Sequence, residues 1–303
     1  MLIKKINSNS KIGLITPAGK IGSFESLNEF VKTLESYGLT VVLGESINSK
    51  YGYLSGTDEI RAKDIMDMFE DDSIDAILCY KGGYGCQRLL PYLDFEKIKK
   101  HPKLFMGYSD ITVMLNVLYQ KCNMPSVHGM MGVSLGNKEN YSLNHMMTTI
   151  FEGFKQPLSN PSEELIVVNE GVCEGTLVGG NLSLIYALMG TEYEIDLKDK
   201  ILFVEEVNES PYAIDRMLSS LSLSNKLKGL KGIICGYFTN CESDTEITYQ
   251  SLLVHYFKQL NIPFVMNFQS GHQKPFVNLP IGLKVKLDTY QKHIVVEEEI
   301  YRK

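Results

Sequence analysis

Three short stretches carry side chains that could act together in hydrolysis. The first is FMGYSDIT (105–112), where an apolar run ends at Gly107 and a helical pattern begins just beyond Ser109. A serine there reads in two ways. It is a favoured N-cap, its hydroxyl accepting a backbone N–H of the first helical turn. It is equally a nucleophile at a helix N-terminus, where backbone N–H groups and the positive end of the dipole stabilise an oxyanion. The G-x-S-x-G elbow is only half met, because Ile111 occupies the second glycine position. The second stretch, ILFVEEVNES (201–210), runs a strand-like segment into Glu205 and Glu206. A carboxylate at a strand end can orient an imidazole, although glutamate pairs are commonest on solvated surfaces. The third, QSGHQKP (269–275), puts His272 in a polar loop between the strand-like FVMNF and LPIG. His128, in SVHGMMG, is a lesser candidate base, and the other histidines fall in helical, strand-edge or turn contexts. In chain order Ser109, Glu205 and His272 supply nucleophile, acid and base. The histidine takes the serine proton while the carboxylate fixes its tautomer.

KGGYG (81–85) follows the apolar run AILCY directly. Glycines at the C-terminal end of a parallel strand let the backbone approach a ligand, and they also make an ordinary tight turn. The spacing matches neither a dinucleotide fingerprint nor a phosphate loop. No H-E-x-x-H or C-x-x-C pair is present, so no metal ligand set and no cofactor is expected.

The elements that must position these residues alternate. IGLIT (12–16), TVVL (40–43), AILCY (76–80) and KLFMG (103–107) read as strands. Between them, Leu27, Phe30, Val31 and Leu34, then Ala62, Ile65, Met66 and Phe69, follow helical spacing, with Thr57 and Asp58 as caps for the second helix. Val113, Met114, Val117 and Leu118 mark the helix after Ser109. This rhythm predicts a mostly parallel sheet with helices on both faces. KQPLSNPSEE (155–164) breaks it with two prolines and polar residues. The expected division is therefore an N-terminal α/β domain over 1–154, a linker over 155–170 and a C-terminal domain over 171–303. In the latter, TLVGGNLSLIYALMG suggests a Gly-Gly turn with Asn181 capping a helix, and LKVKLDTYQKHIVV a terminal hairpin. That predicts a β-rich α+β domain with many antiparallel strands.

Bulk properties narrow the class. A chain of 303 residues is long enough for two cores. A net charge of −6 argues against a nucleic-acid partner, which needs a basic face, and offers nothing to an anionic membrane surface. No run reaches the roughly 18 apolar residues of a membrane span. MLIKKINSNSKIGLITPAG lacks the apolar core of a secretory signal, so the expected compartment is the cytoplasm. The six cysteines fit a reducing environment, with Cys79 and Cys235 inside apolar runs.

Taken together, KGGYG, GYSDIT, EGTLVGGNLSLI, ILFVEEVNESPYAIDRML and GH followed by LPIG resemble the LD-carboxypeptidases in order and interval. This serine peptidase family includes muramoyl-tetrapeptide carboxypeptidases and microcin C self-immunity proteins. The resemblance implies a Rossmann- or flavodoxin-like N-terminal domain carrying Ser109 as nucleophile, and a β-rich domain carrying Glu205 as acid and His272 as base. It implies an oxyanion hole from the amide of Asp110 and that of Gly82 or Gly83. Lys81, Tyr84 and Asn181 become candidates for contacting substrate. Lys81 stands where many members carry arginine, and Ser270 where a phenylalanine often precedes the GH pair. The implied reaction is hydrolysis of an L,D-peptide bond, releasing the terminal D-alanine from murein tetrapeptide in cell-wall recycling, by a homodimer without a cofactor. The alternatives are a microcin-type hydrolase of peptidyl or aminoacyl nucleotides and a noncatalytic two-domain binding module.

Overall fold

The computed structural model describes residues 3–135, 140–242 and 246–302. The chain divides into two compact units, Met1–Gly153 with Glu299–Lys303, and Phe154–Glu298.

The first unit alternates strands and helices: β1 (Lys11–Ile15), α1 (Phe24–Ser36), β2 (Thr40–Leu43), α2 (Asp58–Glu70), β3 (Ala76–Cys79), α3 (Phe95–Lys100), β4 (Leu104–Gly107), α4 (Thr112–Cys122), β5 (Ser126–His128) and α5 (Asn140–Glu152). Its strands lie in the order β2-β1-β3-β4-β5, every pairing parallel. AILC and LFMG are buried along their whole length, which is why both read as unbroken apolar runs. Helix α1 buries Leu27, Phe30 and Leu34, and Thr57 caps α2 through its bond from the Ile60 N–H. The chain leaves β1 for β2 on one side, while β3, β4 and β5 build out on the other. Between β1 and β3 the strand order therefore reverses, and ligands of open α/β sheets bind at the carboxyl ends beside such a switch. Three loops emerge at those ends: TPAGK after β1, KGGYG after β3 and YSDI after β4.

The second unit contains β6 (Ile166–Asn169), β7 (Val172–Asn181), α6 (Leu182–Ala187), β8 (Lys200–Val207), α7 (Pro211–Leu223), β9 (Gly232–Thr239), α8 (Tyr249–Phe257), β10 (Phe264–Met266), β11 (Leu279–Ile281), β12 (Lys284–Asp288) and β13 (His293–Val296). Its sheet runs β13-β12-β7-β8-β9-β10-β6. The terminal hairpin forms as expected, with Val285 opposite Val296. The middle of the sheet differs from the antiparallel expectation: β7, β8, β9 and β10 are all parallel, with α6, α7 and α8 as their crossovers.

Two boundaries also differ. Residues 155–170 are not a free linker, since β6 pairs with β10. The polar residues that look linker-like are consumed by the unit itself. Asn160 Oδ1 accepts the Gln269 N–H at 2.8 Å, and Gln269 Nε2 donates to Ser162 Oγ at 2.7 Å. At the other end, residues 299–303 return to the first unit, where buried Ile300 and Tyr301 pack and Tyr301 bridges to Ile3. No helix among the described residues is long and apolar enough to cross a membrane.

Candidate active site

Tyr108 continues β4 in extended backbone and occupies the cap position of the 3-10 turn Ser109–Ile111 without making a capping hydrogen bond. Ser109 itself has φ 64°, in the left-handed region. A non-glycine residue held there costs on the order of 1–3 kcal/mol, a strain that collects at functional sites. An N-cap has ordinary β-region backbone, so this conformation disagrees with the capping reading. The turn that follows leads into α4, which directs the N–H groups of the first turn back towards Ser109.

Gly82 lies directly against this serine. A Cβ on Gly82 would sit 2.9 Å from Ser109 Cβ and 3.1 Å from its Oγ, so only glycine allows the approach. The Gly82 carbonyl accepts the Gly19 N–H at 3.0 Å, which ties the β1 loop to the β3 loop. Because the peptide is planar and trans, the N–H of Gly83 points away from Gly19. Asp110 is 1% exposed, and its Oδ2 accepts the Cys86 N–H at 2.8 Å. Burial pushes the Asp110 pKa up, against the lowering effect of the Cys86 and Gly85 amides and of Arg61.

In the second unit, Glu205 and His272 meet. Glu205 is fully buried near the end of β8, and its Oε2 lies 2.7 Å from His272 Nδ1. The imidazole side chain is 16% exposed. Burial by itself lowers the His272 pKa, but the charge and hydrogen bond of Glu205, with a contribution from Glu206, hold it above the ordinary value. Gly271, at φ +125°, makes the approach possible: a Cβ there would lie 2.9 Å from Glu205 Oε2. Neighbouring residues of a strand face opposite sides, and this separates the two glutamates. Glu206 receives hydrogen bonds from Asn181 Nδ2, the Ser183 N–H and Oγ, and the Val207 N–H, all at 2.7–2.8 Å. Burial and then the Glu205 charge raise its pKa. Glu206 is thus saturated by its own surroundings, while Glu205 addresses the imidazole. The pair fixes a proton on Nδ1 and leaves Nε2 as the proton acceptor.

The remaining candidates separate by what they touch. Asn181 is 3% exposed, caps α6 through the Leu184 N–H and donates to Glu206, so both ends of its amide serve the fold. Lys81 Nζ donates to the Lys20 carbonyl at 2.9 Å, reinforcing the contact between the two loops. Tyr84 is exposed at the turn, its ring 6.0 Å from that of Tyr53, which is also exposed. His128 is fully buried at the end of β5, edge-on to Tyr108. Arg61 and Gly19 have no role in the sequence analysis, where Asp58 enters only as a helix cap and Gly271 only as the first residue of the GH pair. Both glycines are visible there as small residues in the TPAG and SGH loops, whereas nothing local marks Arg61. Among the described residues, no group of three or more His, Cys, Asp or Glu is placed to hold a metal ion.

Family models match on both sides of the division. The LD-carboxypeptidase N-terminal domain matches residues 12–129, and the LD-carboxypeptidase C-terminal domain matches 174–287. The chain belongs to the LD-carboxypeptidase family. This serine-type LD-carboxypeptidase is 36% identical over 301 residues to a probable murein peptide carboxypeptidase of Bacillus subtilis, covering 97% of this chain and 93% of the relative. A muramoyltetrapeptide carboxypeptidase structure from Oxalobacter formigenes superposes with TM-score 0.83 at 30% identity, covering 94% of this chain and 97% of the other. A wild-type microcin C7 self-immunity protein gives TM-score 0.90 over all of both chains. At 23% identity, that likeness speaks to the fold alone.

Proposed function

We propose that this LD-carboxypeptidase releases the terminal D-alanine from a murein tetrapeptide during cytoplasmic cell-wall recycling, with Ser109 as nucleophile, His272 as general base and Glu205 as its orienting acid. The chemistry rests first on the strained Ser109 backbone, held with Gly82 against its hydroxyl. The Glu205–His272 pair supplies the complementary half. The substrate rests on the B. subtilis relative, named a probable murein peptide carboxypeptidase.

Ser109 Oγ attacks the scissile carbonyl carbon as His272 Nε2 takes its proton. The amides of Asp110 and Gly83 stabilise the oxyanion; Gly83 is favoured over Gly82 because its N–H is turned away from Gly19. His272 then returns the proton to the D-alanine amine as the C–N bond breaks, and water hydrolyses the acyl-enzyme by the same route. The Lys81 ammonium keeps two N–H donors beyond its bond to Lys20 O, which suits it to the substrate carboxylate as a point charge.

The test is D-alanine release from murein tetrapeptide by wild type and Ser109→Ala. Turnover by wild type and its loss in the variant are expected; equal rates would remove Ser109 from the mechanism. The exposed Tyr53–Tyr84 pair favours a second reading, in which a base of an aminoacyl sulfamoyl nucleotide stacks there. Faster turnover of that nucleotide than of the tetrapeptide would select it. Tight binding of either ligand without turnover would instead mark a binding module.

A further inference from the structure

We propose that Arg61 and the carboxylate of Asp110 are positioning residues for oxyanion stabilisation, acting as a buried clamp that holds the Gly82–Cys86 turn against Ser109. The inference rests on the assignment of Ser109 as nucleophile and goes beyond it, since neither side chain touches the reacting atoms.

Arg61 projects from α2 with its side chain fully buried. Its guanidinium donates to the Pro17 carbonyl in the β1 loop and, at 3.1 Å, to the Gly85 carbonyl in the β3 loop. The remaining arm pairs with Asp58, which also holds Arg88 Nη2 at 2.8 Å just beyond the turn. From the other side Asp110 Oδ2 accepts the Cys86 N–H. The two ends of the single Gly85–Cys86 peptide group are therefore gripped by opposite charges on two different elements. Gly85 fits only because it has no side chain: a Cβ would lie 2.7 Å from Arg61 Nη1. The β1 loop fastened by Arg61 at Pro17 is the one whose Gly19 N–H binds the Gly82 carbonyl. The β1, β3 and β4 loops are thus tied to one buried cation and one buried anion. Asp110 has two tasks, its amide facing the oxyanion and its carboxylate fixing the loop that carries the second donor.

Stability alone is a poor reason for this arrangement. Buried ion pairs are often no better than apolar side chains of similar volume. Arg61 Nε and Asp110 Oδ1 are buried without a hydrogen-bond partner among the described residues, so the charges are not even fully satisfied. What the pair does supply is placement, and displacing a donor by about 1 Å can cost on the order of 100-fold in rate.

Asp110→Asn and Arg61→Lys test the clamp. Three quantities are measured: kcat and KM for D-alanine release, the rate of Ser109 acylation by a fluorophosphonate probe, and thermal unfolding. A positioning role predicts kcat lower by about 10- to 100-fold, KM within about twofold, and acylation slowed in parallel. A purely structural role predicts a lower Tm with wild-type kcat per probe-titrated site, and that result overturns the proposal. Should either variant fail to fold, Asp58→Asn loosens Arg61 from its more exposed side; kcat lower by about 3- to 10-fold supports the clamp, and wild-type kcat overturns it. Wild-type protein that acylates without releasing D-alanine refutes the substrate reading only, and the acylation rates still decide the clamp. Failure of both in wild type overturns both.

Discussion

Replacing Glu205 by glutamine changes one buried atom and, on the proposed assignment of His272 as general base, should disable that base. The carboxylate lies 2.7 Å from His272 Nδ1 and is sealed from solvent. As an acceptor it keeps the proton on Nδ1, leaving Nε2 basic. A glutamine of nearly the same volume can donate its amide N–H to Nδ1 instead. The proton then sits on Nε2, which can no longer accept one from Ser109. The expected loss is about 10³–10⁴ in kcat, or about 4–5.5 kcal/mol of transition-state stabilisation at 1.36 kcal/mol per tenfold. The pH profile gives an independent reading. Burial lowers the His272 pKa, while Glu205 first and then Glu206 raise it, for a net position above 6.5. A base works only when neutral, so wild-type kcat/KM should climb with pH through an inflection above 6.5. Without the Glu205 charge burial dominates, and the inflection should fall below that value. Both follow from D-alanine release measured over about pH 5–9. An unmoved inflection, or a kcat within about tenfold of wild type, would refute the tautomer argument. Stability runs the opposite way with pH. The raised pKa means that charged His272 favours the folded state. Its contribution is complete below the unfolded pKa and disappears as pH rises through the folded one.

Ser109→Gly should abolish activity yet be more stable than Ser109→Ala by about 1 kcal/mol, with a correspondingly higher unfolding temperature, because only glycine relaxes at φ 64°. Equal melting temperatures in calorimetry would mean that the backbone is unstrained. Gly271→Ala places a methyl 3.1 Å from Glu205 Cβ and forces a side chain onto φ +125°; a stability loss of about 1–3 kcal/mol and a kcat drop of about 100-fold are expected in denaturation and turnover assays. Wild-type kcat there would show that the pair tolerates displacement. Glu206→Gln disturbs four hydrogen bonds and should destabilise by about 1–3 kcal/mol. The raised pKa of Glu206 means that wild type loses stability as pH rises through it, so the difference from Gln should narrow as pH rises above the ordinary carboxylate range. A gap that widens in urea titrations across pH contradicts that sign.

How much of this was legible depended on whether the cause lay nearby in the chain. AILC and LFMG announce themselves because a strand covered on both faces must be apolar throughout. The β-α rhythm likewise carries its own signal in the period of its side chains. The reach of Asn160 and Ser162 to Gln269 is written in no local pattern, so prolines and polar residues look like a linker while serving as part of a sheet. The parallel centre of the second sheet was legible in principle from PYAIDRML between two apolar strands. The more conspicuous turn DTYQK pulled the expectation towards antiparallel pairing.

The site shows the same division more sharply. FMGYSDIT discloses a strand running into a helix, but not a serine in left-handed backbone, because Gly82 and the loop behind it create that environment. Two adjacent glutamates look like a solvated surface. Here both are buried, since β8 is covered on its two faces and its pleat sends one to His272 and the other to Asn181 and Ser183. Apart from the Val207 N–H on Glu206, the partners that accommodate these two carboxylates lie far off in the chain. A buried charge is tolerable only with partners, and partners supplied by distant strands, helices and loops leave no local mark. Arg61 is the extreme case: in DEIRAKDIMDMFE it reads as one more exposed helical cation, yet it holds carbonyls from two separate loops. If Ser109 is the nucleophile as proposed, the residues that hold its loops in place include one whose only sequence signature is an unremarkable helix.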